Sequence, residues 1–267
     1  MKGERAVTIL LQRAMQNFTG KVAIVTGASS GIGEATARRL AAQGAAVIAV
    51  ARRTERLKSL RAEFPNIHPA PCDVTNHEAL AEIVAAAIAR HGQVDALVNN
   101  AGFSYYERLT DSSLDHWRET MAVNVESMFV LAKLVAPHMI ERRYGRIVNV
   151  SSIQAQASES VVGAYAASKG AINAWSRSLA VDLAEYGILV NVVAPGCIRT
   201  EMSVINGVDE TTTPMFQEWY VKQRKIPLGR PGASDEVAGA IEFLCGDSCT
   251  YITGQTLVVD GGLTITF

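Results

Sequence analysis

Long hydrophobic runs are missing from this 267-residue sequence, and no apolar stretch reads as long enough to cross a bilayer. Cysteine is scarce. Of the four residues Cys72, Cys197, Cys245 and Cys249, the last two stand four apart, but no second Cys or His pair with ligand spacing accompanies them. They read as buried thiols, and no metal is expected. The five histidines are scattered and fall in no motif. Neither sign of charge dominates: the net charge of −1 offers no broad attraction to nucleic acid or anionic membrane. Internal repeats, low-complexity tracts and linkers are also absent. With nothing demanding oxidation, the cytosol is the expected compartment.

What is present is an ordinary globular balance, 48% hydrophobic and 19% charged residues, on a chain long enough to bury a sizeable core. Short apolar runs at 21–26, 45–50, 68–71, 94–98, 146–150, 188–193 and 255–259 alternate with helical patterns. That alternation predicts an α/β fold, a doubly wound parallel sheet with helices on both faces. One domain is expected over 18–267, after an N-terminal extension at 1–17. The extension carries the apolar stretch 6–11, too short for a convincing signal peptide, and reads as helical or frayed. A long helical region is expected over 111–138, closing near Pro137.

The chemistry gathers around Tyr165 and Lys169. On a helix, positions four apart lie on one face, which sets a phenol beside an ammonium. A nearby cation favours the phenolate and draws the tyrosine pKa down from about 10 towards the working range. Ser152 follows the buried run 146–150, where a strand end can bring its hydroxyl to the phenol. Together they form a donor pair for a carbonyl oxygen, with a cation to tune it.

A second cluster is rich in glycine. Gly27, Gly31 and Gly33 lie between a strand and an alanine-rich helix, with Ser29, Ser30 and Ile32 filling the turn. Glycines there let the backbone approach a pyrophosphate at the positive end of the helix. The second strand ends at Ala51-Arg52-Arg53, where an adenosine ribose should lie in a Rossmann pattern. Arg52 offers a 2′-phosphate a charge-assisted contact; the alternative is a solvated Arg pair leading into the helix 54–63.

These motifs occur in order with Asn99-Asn100-Ala101-Gly102, Asn124 and Pro195-Gly196, and the set resembles the short-chain dehydrogenase/reductase family from about residue 18 to the end. Within it, the chain is most similar to 3-oxoacyl-carrier-protein reductases and to glucose and polyol dehydrogenases. The resemblance implies that Asp73 and Val74 contact adenine. It implies that Asn100, Ala101 and Gly102 steady the sheet and line the adenine ribose. Pro195, Gly196, Ile198 and Thr200 would hold the nicotinamide end, and Lys169 its ribose. Asn124 would hold a water in a proton relay. Relatives that prefer NAD tend to carry an aspartate where this chain has Ala51, so NADP(H) is the expected cofactor, with NAD(H) still accepted. The family also packs the helix 163–185 against its copy, and its run of small residues implies a homotetramer.

The reaction so implied is hydride transfer between nicotinamide and a carbonyl or secondary alcohol on a small molecule, with Tyr165 as general acid/base and Asn124, Ser152 and Lys169 completing the catalytic set. Gln154, Met202, Phe216 and Trp219 are candidates to face substrate, the last three in a loosely patterned stretch, 201–226, that reads equally as a mobile lid or as ordinary helix packing. Arg142-Arg143 could form part of a face for an acidic carrier protein, which the Val181-Asp182 pair argues against. Two other readings stay open: an NAD-dependent sugar or polyol dehydrogenase, and a non-catalytic dinucleotide-sensing module on the same fold.

Overall fold

Seven strands form one parallel sheet: β1 Val22–Thr26, β2 Ala46–Ala51, β3 Ile67–Pro71, β4 Ala96–Asn99, β5 Gly145–Val150, β6 Ile188–Pro195 and β7 Thr256–Val259. Their spatial order is β7-β6-β5-β4-β1-β2-β3, with every neighbour parallel. This computed structural model describes residues 17–266, so the expected extension lies outside the described residues except for Asn17. Seven helices connect the strands: α1 Gly31–Ala42, α2 Thr54–Glu63, α3 His77–His91, α4 Leu114–Met121, α5 Ser127–Arg142, α6 Gly163–Ala184 and α7 Ser234–Cys245.

The layering follows from the two-residue period of a strand. Along β1, Ala23 and Val25 face one core with Leu40 of α1, Leu57 of α2 and Ile241 of α7. Val22 and Ile24 face the other, with Val84 of α3, Leu131 and Val135 of α5 and Leu183 of α6. Both faces of the strand are buried, which is why these runs are continuously apolar rather than alternating. The order reverses between β1 and β4, and an open crevice at the strand C-termini belongs at such a switch point. Here the two strand ends are tied: Thr26 Oγ1 accepts from Asn100 N at 2.9 Å and Ala101 N at 3.0 Å, and Asn100 Nδ2 donates to Thr26 O at 3.0 Å.

The expected long helix is longer and begins later. Ser113 caps its start by accepting from His116 N, and the run continues through Pro137 to Arg142, where Arg143 at φ 51° closes it. Pro137 removes one backbone donor but does not end the helix, because Met139 beyond it is fully buried against Gly145. Leu114–Arg142 is therefore a 29-residue helical run whose most apolar 18-residue window, at mean hydropathy 1.3, passes a membrane-span test by length and composition only. Charged residues such as Asp115, Glu119 and Glu126 interrupt the run, so it is not the continuous apolar stretch that the sequence reading found missing. Its apolar side, through Leu131, Val135 and Met139, is spent on the sheet.

Candidate active site

β5 and α6 bring the three central side chains together. β5 ends at Val150, and Ser152 follows in extended backbone (φ −164°, ψ 160°), its Oγ accepting from Gln154 N at 3.1 Å. Tyr165 lies in the first turn of α6, and its side chain faces the same pocket as Ser152. Lys169, one turn on, is 3% exposed and donates from Nζ to Val150 O at 2.9 Å. Ser151 Oγ donates to Lys169 O at 3.0 Å, locking helix to strand. The spacing alone suggested that Lys169 holds the phenol pKa low. Instead burial pushes Tyr165 up to about 12, against a lowering contribution from Ser152. Burial likewise pulls Lys169 down to about 8. The ammonium sits 5.2 Å from the ring centroid, and desolvation outweighs it.

Asn124 lies in a π-helical turn, Ala122–Glu126, between α4 and α5. Single widened turns of this kind are frequent at functional sites. Its Oδ1 accepts from Phe103 N, and its Nδ2 donates to Phe103 O and to Ser168 Oγ, each at 3.0 Å. Asn124 is fully buried and does not itself line the cavity; it fixes the chain after Gly102 and the helix beside Lys169.

The crevice over β1 and β2 encloses about 780 Å³, lined by Gly27, Ser29, Ser30, Gly31, Ile32, Arg52, Arg53, Asp73, Val74, Asn100, Ala101 and Gly102 among others. Gly33 lies beneath it, where an added Cβ would come within 2.4 Å of Gly27 O and Asn100 Nδ2. The turn fits a pyrophosphate: Gly27 and Gly31 stand at φ 66° and 57°, and Ser30 caps α1 without a side-chain bond to its first amides. Those N–H groups stay available at the positive helix end.

A second cavity of about 210 Å³ continues past Tyr165, Ser152 and Lys169, with Pro195, Gly196, Ile198 and Thr200 on its wall. Of the expected substrate residues, Gln154, Met202 and Phe216 line it. Trp219 does not: it sits in a second π-helical turn, Gln217–Lys222, and is half exposed. That turn breaks the helical phase that would have set Trp219 beside Phe216. Sequence reasoning missed Ser104, Tyr106, Cys197, Glu210 and Thr211, which also line the pocket. Tyr106 arrives on a loop held by the bridge between Glu107 and Val162, a non-local contact with no sequence signature.

Residues 27–264 match the family described as Enoyl-(Acyl carrier protein) reductase. The chain is 36% identical over 253 residues to gluconate 5-dehydrogenase of Gluconobacter oxydans, covering 93% of this chain and 96% of that one. It is 37% identical over 248 residues to the 3-oxoacyl-[acyl-carrier-protein] reductase of Escherichia coli, with 92% and 98% covered. The chain belongs to the short-chain dehydrogenase/reductase family. Its fold also superposes, at a TM-score of 0.86 and 35% identity, on a gluconate 5-dehydrogenase from Burkholderia cenocepacia in complex with NADP and tartrate, covering 94% of this chain and 98% of that one. It is an NAD(P)-dependent oxidoreductase.

In this short-chain dehydrogenase/reductase the two arginines after β2 take different directions. Arg52, the expected phosphate partner, is 80% exposed in its side chain, with Asp73 at 3.8 Å. Arg53 instead folds over the glycine turn, donating to Ser29 Oγ at 3.0 Å and to Ser30 Oγ. Arg56, one turn into α2, reaches Ser29 O at 3.4 Å. Both Arg53 and Arg56 are bonded to the carboxylate of Glu201, which holds that group down at about 2. Neither Arg56 nor Glu201 was legible as a site residue, since the contact joins positions 145 apart.

Proposed function

We propose that the protein is an NADP(H)-preferring carbonyl reductase and secondary-alcohol dehydrogenase with Tyr165 as its general acid/base. The observation that carries this reading is the meeting of Tyr165, Ser152 and buried Lys169 in one pocket, set where the dinucleotide crevice meets the inner cavity. Gly27, Ser29, Ser30, Gly31, Arg53 and Asp73 would hold the dinucleotide's phosphate and adenosine end, and Ile198 and Thr200 its nicotinamide end. When bound, the nicotinamide supplies or accepts the hydride.

The chain's own residues handle the oxygen and its proton. With its pKa pushed up to about 12, Tyr165 is protonated at neutral pH and can give a proton to a carbonyl oxygen. Ser152, preset by β5, donates a second hydrogen bond to the developing negative charge. Lys169, pulled down to about 8, lies close enough to physiological pH to exchange its proton, and Asn124 would steady the helix beside it through Ser168. We read 18–267 as one catalytic unit, in the cytosol, consistent with four unpaired cysteines. Gly163 and Gly170 of α6 leave open space beside the backbone, which suits pairing of that face in a homotetramer.

We favour a polar, hydroxylated substrate over a long acyl chain, because Gln154, Glu159 and Glu210 are among the residues that line the pocket. A sugar or polyol is thus the better-supported small molecule. Docking of an acidic carrier protein gains little from Arg142 and Arg143: the first is paired with Asp95 at 3.0 Å, and the second donates to Glu185 O. Oxidation of NADPH and NADH, followed in parallel across ketones, 3-oxoacyl thioesters and sugars, tests the reading. Turnover of a hydroxylated ketone, faster with NADPH, is expected. Cofactor binding without turnover of any carbonyl class would leave only a sensing module.

A further inference from the structure

The carboxylate of Glu201 stands in a place built for a different anion. Around it are two guanidinium groups, from Arg53 and Arg56, and Arg53 is itself aimed by the hydroxyls of Ser29 and Ser30 at the end of β2. Two fork-shaped donors converging beside serine hydroxyls form a typical phosphate site. It lies in the wall of the dinucleotide crevice, at the strand end where an adenosine ribose carries its 2′ substituent. We propose that Glu201 is an internal occupant of the 2′-phosphate subsite, so that NADP(H), but not NAD(H), must displace it to bind. The inference rests on the NADP(H) reading above and adds a specificity residue to it.

Displacement would not stay local. Glu201 opens the 3₁₀ turn Glu201–Ser203, which Thr200 caps by accepting from Met202 N at 3.1 Å. Ser203 Oγ bonds Thr200 O at 2.7 Å and Asp209 Oδ1 at 3.0 Å. Asp209 Oδ1 in turn accepts from Thr211 N at 3.0 Å and Thr211 Oγ1 at 2.8 Å. Met202, Ser203 and Thr211 line the inner pocket. Through the backbone of its own turn, Glu201 therefore links the cofactor's distinguishing phosphate to a polar chain that reaches the substrate cover, and releasing its carboxylate would free residues 201–211 to rearrange.

A direct test uses adenosine fragments, which bind without any chemistry. Calorimetric titration of the whole protein with 2′,5′-ADP and with 5′-AMP should show that Glu201→Gln tightens 2′,5′-ADP roughly tenfold, the order of one charge-assisted contact, and leaves 5′-AMP within about twofold. Arg53→Ala should weaken 2′,5′-ADP alone. In the wild type, 2′,5′-ADP should raise amide hydrogen exchange across 201–211, and 5′-AMP should not. If the wild type discriminates between the fragments but Glu201→Gln leaves 2′,5′-ADP binding unchanged or weaker, Glu201 supports the arginines and the inference is wrong. If the wild type binds the two fragments alike, the NADP(H) reading falls and takes this inference with it.

Discussion

The floor of the cleft and its rim are built by different means. The floor, from β5 through Ser152 to α6, is held by long regular elements and by bonds to buried backbone, as between Lys169 and Val150 O or Ser151 and Lys169 O. The rim, residues 198–222, is a succession of two-residue strands, 3₁₀ turns and a π-helical turn, joined by side-chain bonds and half-exposed ion pairs. Regular elements over-determine a geometry, whereas short segments held by exposed polar contacts open at small cost. The difference suggests a division of labour for the proposed function: the floor would fix the chemistry, and the rim would adjust which cofactor and substrate reach it.

The largest effect should come from breaking the floor at Lys169. Lys169→Ala should cut turnover by about 10²–10⁴, the range of a lost proton-transfer partner, and also weaken cofactor binding. Steady-state rates and a cofactor titration on the folded variant measure both. A variant damaged only in affinity would confine Lys169 to the ribose.

Next in size is Gly33→Ala, which tests the packing under the crevice. Its Cβ would meet Gly27 O at 2.4 Å, and backbone cannot swing aside like a flexible side chain. A destabilisation of about 1–3 kcal/mol is expected, seen as a Tm lower by several degrees, together with weaker cofactor binding. An unchanged Tm would show that the turn gives way easily.

The pH dependence sharpens the electrostatic side. Below about 8 the Tyr165–Lys169 pair keeps both protons, the state suited to reducing a carbonyl. Raising pH through about 8 removes one proton from the pair, so kcat/KM for alcohol oxidation should rise there while reduction declines. Flat profiles in both directions between pH 6 and 10 would contradict the assignment. The smallest effect belongs to the crevice wall after β2: Arg52→Ala should change the NADPH to NADH ratio of kcat/KM by less than about twofold, as exposed charges do, against roughly tenfold for Arg53→Ala. The reverse ranking would restore Arg52 as the phosphate partner.

The floor was legible in the sequence because its contacts are local or end-to-end. Tyr165 and Lys169 share a face by helical spacing, Ser152 follows a strand end, and glycines mark a turn between strand and helix. The seven-stranded parallel sheet followed from the same alternation. What escaped depends on distance along the chain or on local irregularity. Arg52 and Arg53 are indistinguishable as letters, and only the path of the backbone after β2 decides which folds over Ser29 and Ser30. Glu201 meets Arg53 across 148 positions. Two π-helical turns shift the phase at Asn124 and Trp219, and no periodicity argument anticipates an inserted residue. The pKa of Tyr165 was misjudged because burial, which spacing does not report, outweighs a cation one turn away.

Replacing one oxygen atom tests the central claim most directly. Tyr165→Phe deletes the phenolic hydroxyl and keeps the ring, so the packing over Lys169 survives while the proton donor is lost. On a carbonyl substrate found by the screen, single-turnover reduction should fall by about 10²–10⁴. Fluorescence titration should show NADPH affinity changed by less than about threefold, because the hydroxyl is not the cofactor's main anchor. A Tyr165→Phe protein that keeps a large part of its rate would contradict the assignment of the floor as the seat of proton transfer.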